Sequence, residues 1–318
     1  MNSTQIGLGM AALGRPEYIN INPTDQRDKS EEAFYRETLR VLDEAYRLGV
    51  RYFDTAASYG KGETFLLKWH QKRQHPDVIF GSKWGYTYTA NWELGYDGKH
   101  EVKEHSLEKL EEQWSYSQKL CPALGVYHIH SATLASGVLE NSKVLEKLAA
   151  IKRTTGVQIG LSSSGPAQQE VLEKAMDIAI DDTPLFDTFQ VTFNVLEQAT
   201  CALLKYAQKN GVKVLIKEAM ANGRIFPNDH YPHYKPTYSY LSSLADKYQV
   251  GIDAIALRFC MDKIGPAYVL SGASSIPQLT ANLKASTFKL TTTELDKLSA
   301  LSVDSTGYWD ERSLLKWN

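Results

Sequence analysis

Cysteine is scarce in this chain, with three residues in 318, and Cys121, Cys201 and Cys260 are scattered. Their odd number argues against a disulfide framework, and their spacing suits no metal site. Long apolar runs are missing too: none reaches the length of a membrane span, and the start of the chain has no basic segment followed by an apolar one. Nor is there an excess of charge, because 35 Lys and Arg stand against 37 Asp and Glu for a net charge of −2, which leaves no basic footprint for nucleic acid. No glycine-rich dinucleotide fingerprint, fixed-period repeat or shift of composition is present. The expectation is a protein of the reducing cytoplasm without nucleic-acid, membrane or metal partners, folded as one domain over 1–318.

What is present is rhythm. Hydrophobic residues make up 43% of the chain, enough for a sizeable core. Short β-rich runs alternate with amphipathic helical stretches, the pattern of βα units on a parallel sheet. Eight candidate strands can be counted, at 4–13, 51–54, 78–84, 125–130, 157–161, 188–191, 212–216 and 268–270. The intervening helices are expected near 31–48, 63–73, 102–120, 139–154, 168–180, 199–210, 240–248, 252–262 and 276–285. A polar insertion occupies 15–30, and an extra helix at 292–301 precedes a tail with Tyr308, Trp309 and Trp317. An α/β barrel fits this count and length.

Several candidate strands close on a polar side chain. Asp54 ends the second, Lys83 the third, His130 the fourth and Ser162 the fifth, while Tyr59 follows Asp54 by five residues in RYFDTAASYGKGE. Parallel strands of a barrel present their carboxyl ends on one face, so these groups can converge. A free phenol keeps its proton to about pH 10, and a neighbouring ammonium is expected to lower that value. A carboxylate keeps the lysine charged, and a neutral imidazole can position a carbonyl oxygen. Asp54, Tyr59, Lys83 and His130 thus form a proton relay aimed at a carbonyl. Side chains supply no hydride, so reduction needs a bound nicotinamide.

The ordered set, Asp-Thr-Ala-x-x-Tyr-Gly at 54–60 with strands ending in Lys83 and His130, resembles the aldo-keto reductase family. The likeness runs from Ile6–Gly9 through the strand ending in Gln190 to the segment 272–282. It implies a (β/α)8 TIM barrel that reduces aldehydes, ketones or sugars, or oxidises the alcohols, with Tyr59 as proton donor, Asp54 and Lys83 as its supporting pair and His130 orienting the carbonyl. It implies that Ser162 and Gln190 hold the nicotinamide amide, with Ser163 where asparagine is usual. Lys217 falls near the family's stacking aromatic, beside Ala219 and Met220, and with Arg224 is a candidate for a cofactor phosphate. Gly272, Gln278 and Asn282 are expected at the adenosine, and Ser274 stands where a cation often meets the 2′-phosphate. Family habit favours NADP(H), with NAD(H) as the rival.

Each residue also has a plainer reading. Asp54 alone suits a helix cap, Tyr59 a core filler, and Lys83 a solvated charge. Serines 162–164 suit a polar turn, and His128 suits packing outside the barrel or in its core. Trp84, Tyr86, Tyr88 and Trp92 form either a packing cluster or a substrate wall. Two other functions stay open: a cofactor-binding regulatory subunit with little turnover, and a barrel hydrolase.

Overall fold

The computed structural model describes residues 5–21 and 28–317. Thr4 of the first expected strand and residues 22–27 of the expected insertion lie outside the described residues. Eight parallel strands close a barrel: β1 (Gln5–Gly9), β2 (Tyr52–Asp54), β3 (Ile79–Trp84), β4 (Leu124–Ala132), β5 (Gln158–Ser163), β6 (Thr188–Thr192), β7 (Lys213–Lys217) and β8 (Ala267–Ser271). Each strand pairs with its neighbour in sequence, and β8 closes on β1. The fold is a (β/α)8 barrel.

The helices follow the apolar spacing. In α1 (Glu31–Arg47) the residues Phe34, Thr38, Val41, Leu42 and Ala45 are buried at helical spacing, and the Ser30 side chain caps its start. Next come α2 (Gly62–Arg73), α3 (Leu107–Ser117), α4 (Ser142–Thr155), α5 (Gln168–Met176) and α6 (Cys201–Lys209). The second half adds α7 (Lys235–Tyr248), α8 (Ile252–Ile264), α9 (Ile276–Leu283), α10 (Thr292–Ser299) and α11 (Ser305–Ser313). No helix among the described residues is long and apolar enough to cross a membrane.

Several expectations change, among them the first strand, which ends at Gly9, and the helix expected from 240, which begins at Lys235. The helix expected over 102–120 begins only at Leu107, where Ser106 caps it, because Glu101–Lys103 pairs antiparallel with Tyr86–Tyr88. The helix expected to reach 180 stops at Met176, and Ala179–Ile180 turns back onto Thr183–Pro184. The tail after 301 contains α11, with Asp304 as its cap.

The inside of the barrel is tightly filled. Tyr52, Val126, Leu215 and Leu270 form a cluster of their own, and Tyr268 stacks on Tyr52 with ring centroids 4.4 Å apart. Glycines make room for these large neighbours. A Cβ at Gly81 would overlap the Tyr52 hydroxyl, and one at Gly160 would overlap Thr188 and His128. His128 lies in this interior, its Nε2 2.8 Å from Thr188 Oγ1, which settles its place between core and exterior. Gly160→Ala is expected to cost about 1–3 kcal/mol through overpacking, read as a lower midpoint in thermal unfolding. An unchanged midpoint would show that this layer is loosely packed.

Candidate active site

The carboxyl ends of β2, β3 and β6 meet at one carboxylate. Lys83 Nζ donates to Asp54 Oδ2 at 2.5 Å and to the Thr55 carbonyl at 2.8 Å. Gln190 Nε2, from the opposite wall of the barrel, donates to Asp54 Oδ1 at 2.8 Å. Asp54 and Lys83 are 2% and 0% exposed, so each ion survives burial through the other and through these added hydrogen bonds.

Above this pair stand the phenol and the imidazole. The segment after β2 folds Tyr59 back over the barrel, with Lys83 Nζ 4.8 Å from its ring centroid. The His130 ring meets Tyr59 edge-on, at 5.6 Å between centroids and 81° between planes. A slip of register in β4 between Ile129 and Ala132 lies at this point, with Ser131 at φ 49°. The ladder is disturbed there, and the Ser131 amide instead donates to Ser162 Oγ at 2.8 Å. His105 Nε2 lies 2.9 Å from the His130 carbonyl, and burial lowers the His105 imidazole to about 4. His105 is therefore neutral at pH 7 and must donate, because a carbonyl oxygen only accepts.

The electrostatics correct one expectation. Burial, then the Asp54 charge, pushes the Tyr59 phenol up, and the cation that works against them is Arg15 rather than Lys83. Lys83 spends its charge on Asp54. Tyr59 is thus a fully protonated phenol at neutral pH. Burial, followed by the charges of Lys83 and Arg15, holds His130 well below its ordinary value, so its ring is neutral there.

Arg15 had no signal in the sequence, because it sits in an insertion without periodicity. It is 2% exposed, donates to Glu101 at 2.8 Å and to the Ser58 carbonyl at 3.2 Å, and lies 5.0 Å from the Tyr59 ring centroid. The Trp317 ring covers its other side at 4.6 Å, itself stacked on His100 at 4.3 Å.

A cleft of about 860 Å³ opens from these groups. Asp54, Tyr59, His130, Gln190, Lys217, Ala219, Met220, Gly272, Ser274, Gln278 and Asn282 all line it. Four candidates do not, the first being Lys83, which is buried beneath the cleft against Asp54. Ser162 is buried under the β4 irregularity, Ser163 is buried with its hydroxyl unpaired, and Ser164 lines the cleft instead. Arg224 is removed altogether: its fully buried guanidinium donates to Ala221 and Tyr308 carbonyls and to Glu311, and lies 4.0 Å from the Tyr308 ring centroid. It anchors α11. Lys217 donates to Thr192 and Ser164 hydroxyls at 2.6 and 3.0 Å, and burial lowers its ammonium to about 8. Trp84 is fully buried and Trp92 packs on Phe34 and Phe65, so neither walls the cleft; Tyr86 and Trp309 do.

Comparison with known proteins gives the family and agrees with the barrel fold. The sequence matches the Aldo/keto reductase family over residues 5–303. The chain belongs to that family. An uncharacterised oxidoreductase, YqkF of Bacillus subtilis (strain 168), is 23% identical over 313 residues, 92% of this chain and 90% of its own. L-galactose dehydrogenase of Arabidopsis thaliana is 26% identical over 273 residues, 79% of this chain and 78% of its own. The barrel is similar to the holo form of aldo-keto reductase AKR11C1 from Bacillus halodurans, with a TM-score of 0.69, 22% identity and coverage of 94% and 92%. It is equally similar to the glycerol dehydrogenase AKR11B4 of Gluconobacter oxydans, with a TM-score of 0.69, 20% identity and the same coverage. Family membership and these oxidoreductase names support an oxidoreductase. Aldo-keto reductases generally use NAD(P)H, and the cleft suits such a group: a Cβ at Gly272 would have no atom within 4 Å, so the backbone there is open to a ligand.

Two outcomes follow from the charges. Lys83→Met leaves the Asp54 carboxylate buried without its cation and is expected to cost about 3–5 kcal/mol, measured by denaturant unfolding; a loss under about 1 kcal/mol would mean that the Gln190 amide suffices. The second concerns Glu218, which binds Arg312 at 3.0 Å and ties α11 to the end of β7. Burial works to raise the Glu218 carboxyl, but Arg312 and Lys217 more than offset it and hold it at about 2, below its ordinary 4.5. The contribution of the pair is therefore complete above about pH 4.5 and lost as pH falls toward about 2. Acid titration followed by circular dichroism should show a weaker acid loss of stability in Glu218→Gln, and identical acid limbs would contradict the assignment.

Proposed function

We propose that this protein is a nicotinamide-dependent reductase of small carbonyl compounds, or dehydrogenase of the matching alcohols, in which Tyr59 is the proton donor. The observation that carries the reading is the edge-on pair of Tyr59 and His130 opening into the cleft above the buried Lys83–Asp54 ion pair. A nicotinamide, when bound, supplies the hydride that no side chain can.

The remaining work falls to the chain itself. The neutral His130 ring fixes the position of a carbonyl oxygen beside the Tyr59 hydroxyl. As negative charge develops on that oxygen, the Tyr59 O–H gives up its proton to it. A phenol that holds its proton in the resting site becomes a competent donor once its neighbour is an alkoxide, which is far more basic. Lys83 and Asp54 hold the floor beneath the ring, and Gln190 is shared between Asp54 and the cleft. Lys217 and Ser164 on the lining, with Gln278 and Asn282 at the far end, are the groups placed to hold the cofactor.

The substrate end is ringed by both aromatic and charged groups, with Tyr86 and Trp309 beside Arg15, Glu101 and Lys103. Such a lining supports a small polar carbonyl or polyhydroxy compound over a purely apolar one. The test uses purified protein, NADH and NADPH, and a panel of aldehydes, ketones and sugars, followed by loss of reduced-nucleotide absorbance. Turnover is expected, and Tyr59→Phe should lower kcat by about 10²- to 10⁴-fold while nucleotide binding persists. Full activity in Tyr59→Phe would remove the phenol from the mechanism.

A further inference from the structure

We infer that Asp253 makes this a site for the nicotinamide cofactor without a 2′-phosphate, so that NAD(H) is bound in preference to NADP(H). The inference rests on the nicotinamide reading above. If the nicotinamide lies against Tyr59 and His130, the adenosine takes the opposite end of the cleft, where residues 272–274, Gln278 and Asn282 line it. The cations of the lining are Arg15, Lys103, Lys217 and Arg312, all grouped around the barrel mouth and the α11 side. At the adenosine end, among the described residues of the lining, the one formal charge is the carboxylate of Asp253.

Asp253 stands in the first turn of α8 and is half-buried. It is held in place rather than free to swing away. With the Asn282 amide oriented to satisfy all its neighbours, its nitrogen donates to Asp253 Oδ2 at 2.6 Å and to the Gln278 carbonyl at 3.2 Å, while its oxygen accepts from Ser271 Oγ at 2.7 Å. This network fixes the carboxylate beside the segment that an adenosine must touch. Lys284, whose charge acts on Asp253, is exposed and does not line the cleft. A dianionic phosphate is ordinarily met by Arg or Lys, and here it would meet a fixed negative charge. A carboxylate instead accepts hydrogen bonds from the hydroxyls of an unmodified ribose or from an exocyclic amine. The same charge thus repels one cofactor and receives the other.

The experiment is equilibrium binding of NADH and NADPH to the full chain, read by nucleotide fluorescence or calorimetry without substrate. NADH is expected to bind at least tenfold more tightly than NADPH. Asp253→Asn, of the same size, should narrow that ratio by tightening NADPH selectively, and Ser274→Arg, which leaves Asp253 in place, should narrow it further. Tighter binding of NADPH by the unaltered protein overturns the inference while leaving the nicotinamide reading intact. An equal effect of Asp253→Asn on both nucleotides also overturns it. Binding of neither nucleotide overturns the reading it rests on, and the inference with it.

Discussion

The ion pair between Lys83 and Asp54 is the constraint around which the site is built. Two opposite charges with almost no exposure to solvent are tolerable only with good geometry and added hydrogen bonds. Thr55 adds one to Lys83 and Gln190 one to Asp54, beside the bond between the two ions. Because the partners come from β2, β3 and β6, satisfying the pair also fixes three strands relative to one another. The barrel mouth acquires a defined floor, and Tyr59 and His130 are arranged over it.

The arrangement divides the labour among the cations. Lys83 is neutralised below the phenol, Arg15 sits beside it clamped by Glu101, Arg312 is taken up by Glu218, and Arg224 is sealed beneath α11. Among these described cations the charge at the mouth is matched by a carboxylate, while Lys103 donates to the Ser131 carbonyl and Lys217 stands apart. That amine is bonded to two hydroxyls, and burial lowers its affinity for a proton.

Much of this was legible before the fold was known. The alternation of strand and helix, and the polar residue ending each of several strands, lead to a barrel with Asp54, Tyr59, Lys83 and His130 at one face, because barrel topology alone brings strand ends together. What was hidden depends on long-range geometry. Arg15 lies in a stretch with no periodicity and becomes informative only when packed over Tyr59. Lys217 ends β7 and Arg224 lies in the loop that follows, yet Arg224 is consumed by α11 while Lys217 lines the cleft. Ser162 was expected at the nicotinamide from the resemblance, but in the fold its oxygen accepts from the Ser131 amide at the irregular turn of β4. The hairpin at 86–103 was obscured because a helix-favouring composition from 104 onward ran back over it in the pattern.

Below the ion pair, Tyr52 and Tyr268 stack inside the barrel, and the absence of a side chain at Gly81 lets the Tyr52 hydroxyl rise to within 3.5 Å of Asp54. These rings stopper the vessel at its base. Asp54 itself lines the cleft above them. Whatever occupies the cleft also covers that carboxylate, so occupancy and the hydration of the charges at its floor change together.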